Sequence, residues 1–176
     1  ISEAAEMGAE VKTIFASDAD TGDNGEVKYR IVGGNRLRKF SINATTGVIY
    51  LSGNLDRETV SEYVLAVEAE DGGQPSLTAA SSVIIMVGDE NDNPPRITNT
   101  DLQLTIAEDA PVGQKVFSFR AKDEDEGENA ELRYTLAGGS YQKYFNVDQY
   151  TGDMVLQKSL DYEKDRSFTV KVTVSD

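Results

Sequence analysis

The chain of 176 residues carries 31 Asp and Glu against 17 Lys and Arg, a net charge of −14. Phosphate recognition needs a surplus of Lys and Arg, so nucleic acid and anionic membrane surfaces are poor partners for it. His, Cys and Trp are all absent. That removes histidine acid/base work, cysteine nucleophiles, disulfides within the chain and most zinc or copper sites.

No run approaches the roughly 18 apolar residues of a membrane span. The longest strongly apolar stretch is Val83 to Val87. No secretory signal opens the chain, so any signal or anchor is expected elsewhere in a parent protein. The lack of Cys does not place the chain in the cytosol, because extracellular modules can be stabilised by metal instead.

In chain order, Glu3 follows Ile1 and Ser2, and Asp18 and Asp20 form an Asp-x-Asp pair. Val27 to Ile31 alternates apolar and polar residues, as a half-buried strand does, and Gly33-Gly34 breaks it. Phe40 is a core candidate, as are Tyr29 and Tyr63. Asn43-Ala44-Thr45 is an N-glycosylation sequon. Thr46-Gly47 reads as a hairpin turn in which Gly supplies a positive φ. Asp56 and Glu58 follow, then the alternating strand Tyr63 to Glu70, ending at Asp71. An acidic run, Asp89-Glu90-Asn91-Asp92-Asn93, leads into Pro94-Pro95. Two prolines cannot donate to a ladder and hold the backbone extended, so this is a short, stiff linker.

The series then repeats. Glu3 recurs as Glu108, Asp18 and Asp20 as Asp123 and Asp125, Phe40 as Phe145, Thr46-Gly47 as Thr151-Gly152, Asp56 and Glu58 as Asp161 and Glu163, and Asp71 as Asp176, always 105 residues on. The strands recur too, as Leu132 to Leu136 and Phe168 to Ser175, with Gly138-Gly139 as the break. Short strands with regular turn signals and no sustained helical period predict a β-sandwich in each copy. The copies divide as residues 1–93 and 94–176. Residues 96–105 precede Ile106 with no counterpart ahead of Ile1, and the second copy stops before any counterpart of Val83 to Val87. The first copy is therefore expected to lack most of its first strand and the second its last.

The acids lie at strand ends and in the linker. In an Asp-x-Asp pair on a strand both carboxylates face one side, which makes a hard-oxygen claw suited to calcium. An EF-hand is excluded, because the loop from Asp18 lacks Gly at position six and has Tyr29 at position twelve. A glycosidase carboxylate pair is a weaker reading, since nothing marks a substrate pocket and the acids occur in both copies. Each pair alone reads as ordinary turn or surface acid; as a repeated set they read as a cation site.

Ile-x-Glu, Asp-x-Asp, Leu-Asp-Arg-Glu, Asp-Glu-Asn-Asp-Asn-Pro-Pro and Ala-Glu-Asp-Gly together resemble the signature of cadherin extracellular repeats, over essentially the whole chain. The resemblance implies an all-β fold, two tandem seven-stranded Greek-key sandwiches, with three Ca²⁺ at each junction and no catalysis. By motif position it implies Glu3, Asp56, Glu58 and Asp92 around the outermost ion. Glu3, Glu58, Asp92 and Asp125, with Glu90, would share the middle one. Asn91, Asp123, Asp125 and Asp176, with backbone carbonyls of Asn93 and Asn129, would hold the third. Asp18, Asp20, Asn24 and Asp71 would form half of a preceding junction, and Glu108, Asp161 and Glu163 half of a following one. Departures from the family pattern are Ala4-Ala5-Glu6 after Glu3, Ala130 after Asn129, and Tyr162 between Asp161 and Glu163; none removes a ligand.

The resemblance further implies an extracellular, glycosylated segment of a plasma-membrane protein, acting in calcium-dependent cell–cell adhesion. It would serve as a stiff spacer or as a homophilic or heterophilic contact, in cis or trans, with other cadherin ectodomains, and beside neighbouring repeats of its parent chain. Cadherins that adhere by strand exchange anchor a Trp near the mature N-terminus. With no Trp, the chain fits a protocadherin, Fat, Dachsous or Flamingo-type array better. A cadherin-like carbohydrate-binding module, or a non-adhesive structural one, is the alternative.

Overall fold

The computed structural model describes residues 1–99 and 103–176. The chain forms two compact units, Ile1–Glu90 and Asn91–Asp176. Both are built from antiparallel strands and single 3-10 turns, with no α-helix among the described residues. Among the described residues no helix is long and apolar enough to cross a membrane.

In the first unit six strands form two sheets. Strands β1 (Glu10–Thr13), β4 (Val48–Leu51) and β3 (Phe40–Ile42) make one, in the order β1-β4-β3. Strands β2 (Lys28–Gly33), β5 (Glu62–Glu70) and β6 (Thr78–Met86) make the other, in the order β2-β5-β6. A parallel bridge between Ser2 and Gly88 adds a seventh extended segment beside the end of β6. The β1–β2, β2–β3 and β4–β5 connections cross between the sheets, and β3–β4 and β5–β6 are hairpins within one sheet, as in a Greek-key sandwich.

The alternation in β5 sorts its side chains. Tyr63, Leu65 and Val67 point inward and are at most 3% exposed, packing against Phe40, Ile49, Leu51 and Ile85. Phe40 meets Tyr63 edge to face at 5.0 Å. Burial of large apolar side chains of this kind is what holds a sandwich together, each contributing about 1.5–3 kcal/mol.

The second unit repeats the plan. Strands β7 (Arg96–Ile97) and β9 (Ala121–Lys122) pair along one edge. Of the expected first strand, Thr100, Asp101 and Leu102 lie outside the described residues. Strands β8 (Lys115–Ser118), β12 (Asp153–Leu156) and β11 (Phe145–Val147) form a sheet in the order β11-β12-β8, and β10 (Arg133–Leu136) pairs with β13 (Val172–Ser175). The core is Phe119, Tyr134, Tyr141, Tyr144, Phe145, Val147, Met154 and Leu156.

The strand predicted over Phe168 to Ser175 is shorter than its counterpart β5. Only Val172 to Ser175 pair with β10. Beyond Leu136, β10 gives way to a Gly-rich break and a 3-10 turn, Ser140–Lys143, and the Lys171 N–H donates to the Tyr141 hydroxyl at 3.2 Å. β5 has a second partner, β6, along its whole length.

Both predicted Thr-Gly hairpin turns form. Gly47 and Gly152 take φ of +69° and +70°. A Cβ on either would sit 2.4 or 2.5 Å from a backbone carbonyl oxygen, of Ile14 or Phe119. Gly is therefore required there on two counts, dihedral and space.

Candidate metal centres

Each unit gathers its own carboxylates at one end of its strands. In the first unit Glu3, Asp56 and Glu58 bring oxygens within 4.8 Å of one another. Glu3 is held from two sides: its Oε2 accepts the Arg57 N–H at 2.7 Å and its Oε1 accepts the Glu90 N–H at 2.9 Å. The carboxylate is 7% exposed, and those two backbone donors fix its orientation. Asp56 accepts from the Thr59 hydroxyl at 2.8 Å and the Thr59 N–H at 3.0 Å. Those bonds, hydroxyl first, hold its carboxyl below the usual carboxylate range and keep it charged.

Arg57 lies between the two acids in sequence and is itself buried. Its guanidinium pairs with Glu58 at 2.5 Å and with Asp89. Arg57 and Asp89 stand within the Leu-Asp-Arg-Glu motif and the acidic run, but neither is given a role at the site by sequence reasoning. The signal was present: a lone cation inside an acidic motif, replaced by Tyr162 in the copy, where the ring is exposed and takes the Arg166 guanidinium 5.4 Å from its centre.

In the second unit Asp123, Asp125 and Asp176 converge within the same 4.8 Å. Asp125 is 5% exposed and accepts both from the Asn93 N–H at 3.3 Å and from the Asn93 amide at 2.9 Å. The Asp125 N–H donates to Asp123 Oδ1 at 3.0 Å. The other oxygen, Asp123 Oδ2, is buried and accepts no hydrogen bond among the described residues. A buried carboxylate oxygen left without a donor costs free energy unless a cation meets it. Both donor sets are oxygen only, which fits calcium and excludes metals that prefer nitrogen or sulfur. Asn129, in the 3-10 turn Gly127–Ala130, and Asn24, in Gly22–Gly25, hold matching positions in the two units.

The remaining acids are placed differently. Asp18 and Asp20 are exposed, and Asp18 Oδ1 accepts the Asp20 N–H at 2.7 Å, as Asp123 does for Asp125. Asp71 Oδ1 is committed to its own turn, accepting from the Leu77 N–H at 2.8 Å and the Gly73 N–H at 3.1 Å. Glu108 Oε2 accepts the Tyr162 N–H at 3.0 Å, repeating the Glu3 bond to Arg57. Glu108, Asp161 and Glu163 are exposed and form no close carboxylate triad among the described residues. In the linker Glu90 Oε1 accepts the Ser2 hydroxyl at 2.7 Å, and Asp92 Oδ1 accepts the Asn93 amide at 2.6 Å; Asn91 is exposed. Asn43 is exposed at the tip of the β3–β4 hairpin.

Two tandem Greek-key sandwiches with strand-end carboxylate clusters define a class of extracellular repeat. The Cadherin domain family matches residues 1–88 and 102–176, and the chain belongs to that family, which is not a family of enzymes. It is 37% identical to human Protocadherin Fat 1 over all 176 residues, and 37% identical to the Drosophila melanogaster Protocadherin-like wing polarity protein stan over 166 residues, 94% of this chain. Mouse Cadherin EGF LAG seven-pass G-type receptor 3 is 39% identical over 99% of the chain. The chain spans only 4%, 5% and 5% of those three proteins. Among solved structures, protocadherin gamma B2 extracellular cadherin domains 1–5 superpose with a TM-score of 0.91 at 31% identity, covering 100% of this chain and 35% of that one. Mouse cadherin-23 EC22–24 gives 0.87 at 30% identity, covering 99% and 55%.

Proposed function

We propose that the chain is part of the extracellular region of a membrane-anchored adhesion protein, in which calcium bound at the inter-repeat junction stiffens the array. The observation that carries this reading is the paired carboxylate clusters, above all the buried, donorless Asp123 Oδ2 beside Asp125 and Asp176. Glu3, Asp56 and Glu58 from the first repeat, Glu90 to Asn93 from the linker, and Asp123, Asp125, Asn129 and Asp176 from the second would together hold three Ca²⁺. Each calcium ion supplies charge neutralisation and oxygen cross-links, and no reaction. What supports the count of three is the family's ligand pattern, complete here residue by residue.

Without metal, carboxylate oxygens 4.8 Å apart repel by about 3 kcal/mol per pair at an effective dielectric of 20. Removing that repulsion is the source of the stiffening. Adhesion, as spacer or as homophilic or heterophilic contact, follows from the family. It is also in keeping with the protocadherin gamma B7 EC3–6 cis-dimer among the similar structures.

Titration calorimetry tests the metal reading. Calcium is expected to bind at about 10⁻⁴–10⁻³ M or tighter and to raise the melting temperature. Asp123→Asn and Asp125→Asn are each expected to weaken binding about tenfold or more. Absence of any heat or thermal shift at several times those concentrations would refute it.

A further inference from the structure

The outer face of the β2-β5-β6 sheet carries an apolar strip that the fold does not need. Val64 on β5 lies directly opposite Ile84 on β6, and Met86 lies opposite Glu62. Val64 is 46% exposed, Ile84 64%, Met86 60% and nearby Val32, on β2, 51%. Their chain neighbours Tyr63, Leu65 and Ile85 already fill the core from the opposite face. The second unit serves as an internal control. At the places of Glu62, Val64, Ala66 and Glu68 it has Ser167, Thr169, Lys171 and Thr173, so the sequence of the second repeat is polar at the positions where β5 is apolar at Val64. Four large side chains of one sheet, each about half exposed or more, make the kind of apolar patch, on the order of a few hundred Å², that marks interaction surfaces.

We propose that this strip is where a second copy of the chain docks, sheet face on sheet face, related by a two-fold axis near Ala66 and Ser82. The proposal rests on the adhesion reading and names its surface. Charge selects the partner. In a chain of net charge −14, residues 72–88, which include all of β6, hold no charged side chain. The β6 strands of two copies therefore meet without acid opposing acid, and the outward acids of the sheet, Glu62, Glu68 and Glu70, lie on β5, where Arg30 already engages Glu68 and Glu70.

Shape and flanking charge agree with the two-fold. The outward residues of β6 run small to large: Thr78, Ala80, Ser82, Ile84, Met86. Reversal about Ser82 lays Ile84 over Ala80 and Met86 over Thr78. On β5 the same reversal about Ala66 brings Glu62 to the level of Glu70. Lys28 sits there, paired in register with Glu70. Glu70 is itself engaged by Arg30 at 3.0 Å, so Lys28 is the cation left to meet the incoming Glu62 carboxylate. One small patch per copy buries less than the 1,200–2,000 Å² of a stable dimer, so the contact is weak and gains its strength from repetition along an array.

Sedimentation equilibrium of the whole chain in millimolar calcium, up to about 1 mM protein, tests this. The wild type is expected to show concentration-dependent dimers. Val64→Thr with Ile84→Thr, which installs at position 64 the residue the second unit carries, is expected to lower the association constant about tenfold or more. Glu62→Lys and Lys28→Glu are each expected to weaken association, and the two together to restore it, because the swap rebuilds both pairs across a two-fold. A wild type that stays monomeric, a Val64→Thr/Ile84→Thr variant that associates as well as wild type, or a swap no better than its single changes would overturn the proposal. Calcium binding measured by calorimetry on the same samples is expected to be unaltered in every variant. Its loss in the wild type would count against the metal reading alone.

Discussion

Asn43 and Asp148 stand at the same point of two copies of one hairpin and perform the same task with different chemistry. Asn43 Oδ1 accepts from the Thr45 and Thr46 N–H groups at 2.9 and 3.0 Å; Asp148 Oδ1 accepts from Tyr150 and Thr151, both at 2.9 Å. Only the second can titrate. The Thr151 and then the Tyr150 N–H hold the Asp148 carboxyl below its ordinary 3.8. A depressed carboxyl contributes stability that is present above its unfolded value and lost as pH falls through its folded one. Acidification below about pH 4 is therefore expected to loosen the β11–β12 turn and leave the β3–β4 turn closed. Amide shifts in calcium-free buffer check this. Tyr150 and Thr151 should titrate with a midpoint under 3.8, Thr45 and Thr46 should not, and Asp148→Asn should flatten the curve. Parallel movement of all four amides would refute it. The Asn at this point also completes the sequon, which its exposed position leaves open to glycosylation.

At the scale of elements, what was legible in the sequence was what repeats and what alternates. The period-two pattern located β5 to within a residue, because Tyr63, Leu65 and Val67 had no other way to reach the core. The acids at strand ends were legible for the same reason, since they recur at one offset, but Glu3, Asp56 and Glu58 and, in the other copy, Asp123, Asp125 and Asp176 come together, while their counterparts among the described residues do not. What alternation could not show was whether a strand has neighbours. Phe168 to Lys171 alternate as cleanly as β5, yet lie outside the ladder, because β10 stops and the Tyr141 hydroxyl takes up the Lys171 N–H. Nor did spacing reveal that Arg57 is buried among acids, or that Asp71 is engaged by its own loop.

The two hairpin glycines offer a graded test of the turns. Gly152→Ala forces both a positive φ and a 2.5 Å contact with the Phe119 carbonyl oxygen, whereas Gly113, at φ +91°, has open space where its Cβ would go. Gly113→Ala is expected to cost about 1 kcal/mol in urea denaturation. Gly152→Ala, and likewise Gly47→Ala, should cost about 2–3 kcal/mol or more. Equal effects at 113 and 152 would show that the close approach to Phe119 does not matter.

For the whole molecule the governing quantity is charge. With 31 acids against 17 bases, compaction works against self-repulsion, and the strand-end clusters concentrate that repulsion where backbone donors already fix the carboxylates. Salt screens such terms: the Debye length shortens from about 10 Å at 0.1 M to about 3 Å at 1 M. In chelator, raising sodium chloride across that range is therefore expected to raise the melting temperature. Calcium should do the same at far lower concentration, because a divalent ion held by the cluster acts at contact distance and is not screened. Once calcium is bound, most of the salt response should disappear, since three ions would cancel six of the fourteen net negative charges. Thermal unfolding at several salt concentrations, with and without calcium, separates the possibilities. A salt response of equal slope in both conditions would mean that the repulsion is spread over the general surface and the clusters are not its seat. A slope that collapses with calcium in the wild type but persists in Asp125→Asn would trace it to the Asp123, Asp125 and Asp176 triad. The fold would then owe its working stiffness less to its two cores than to the cation that reconciles acids brought together at the strand ends.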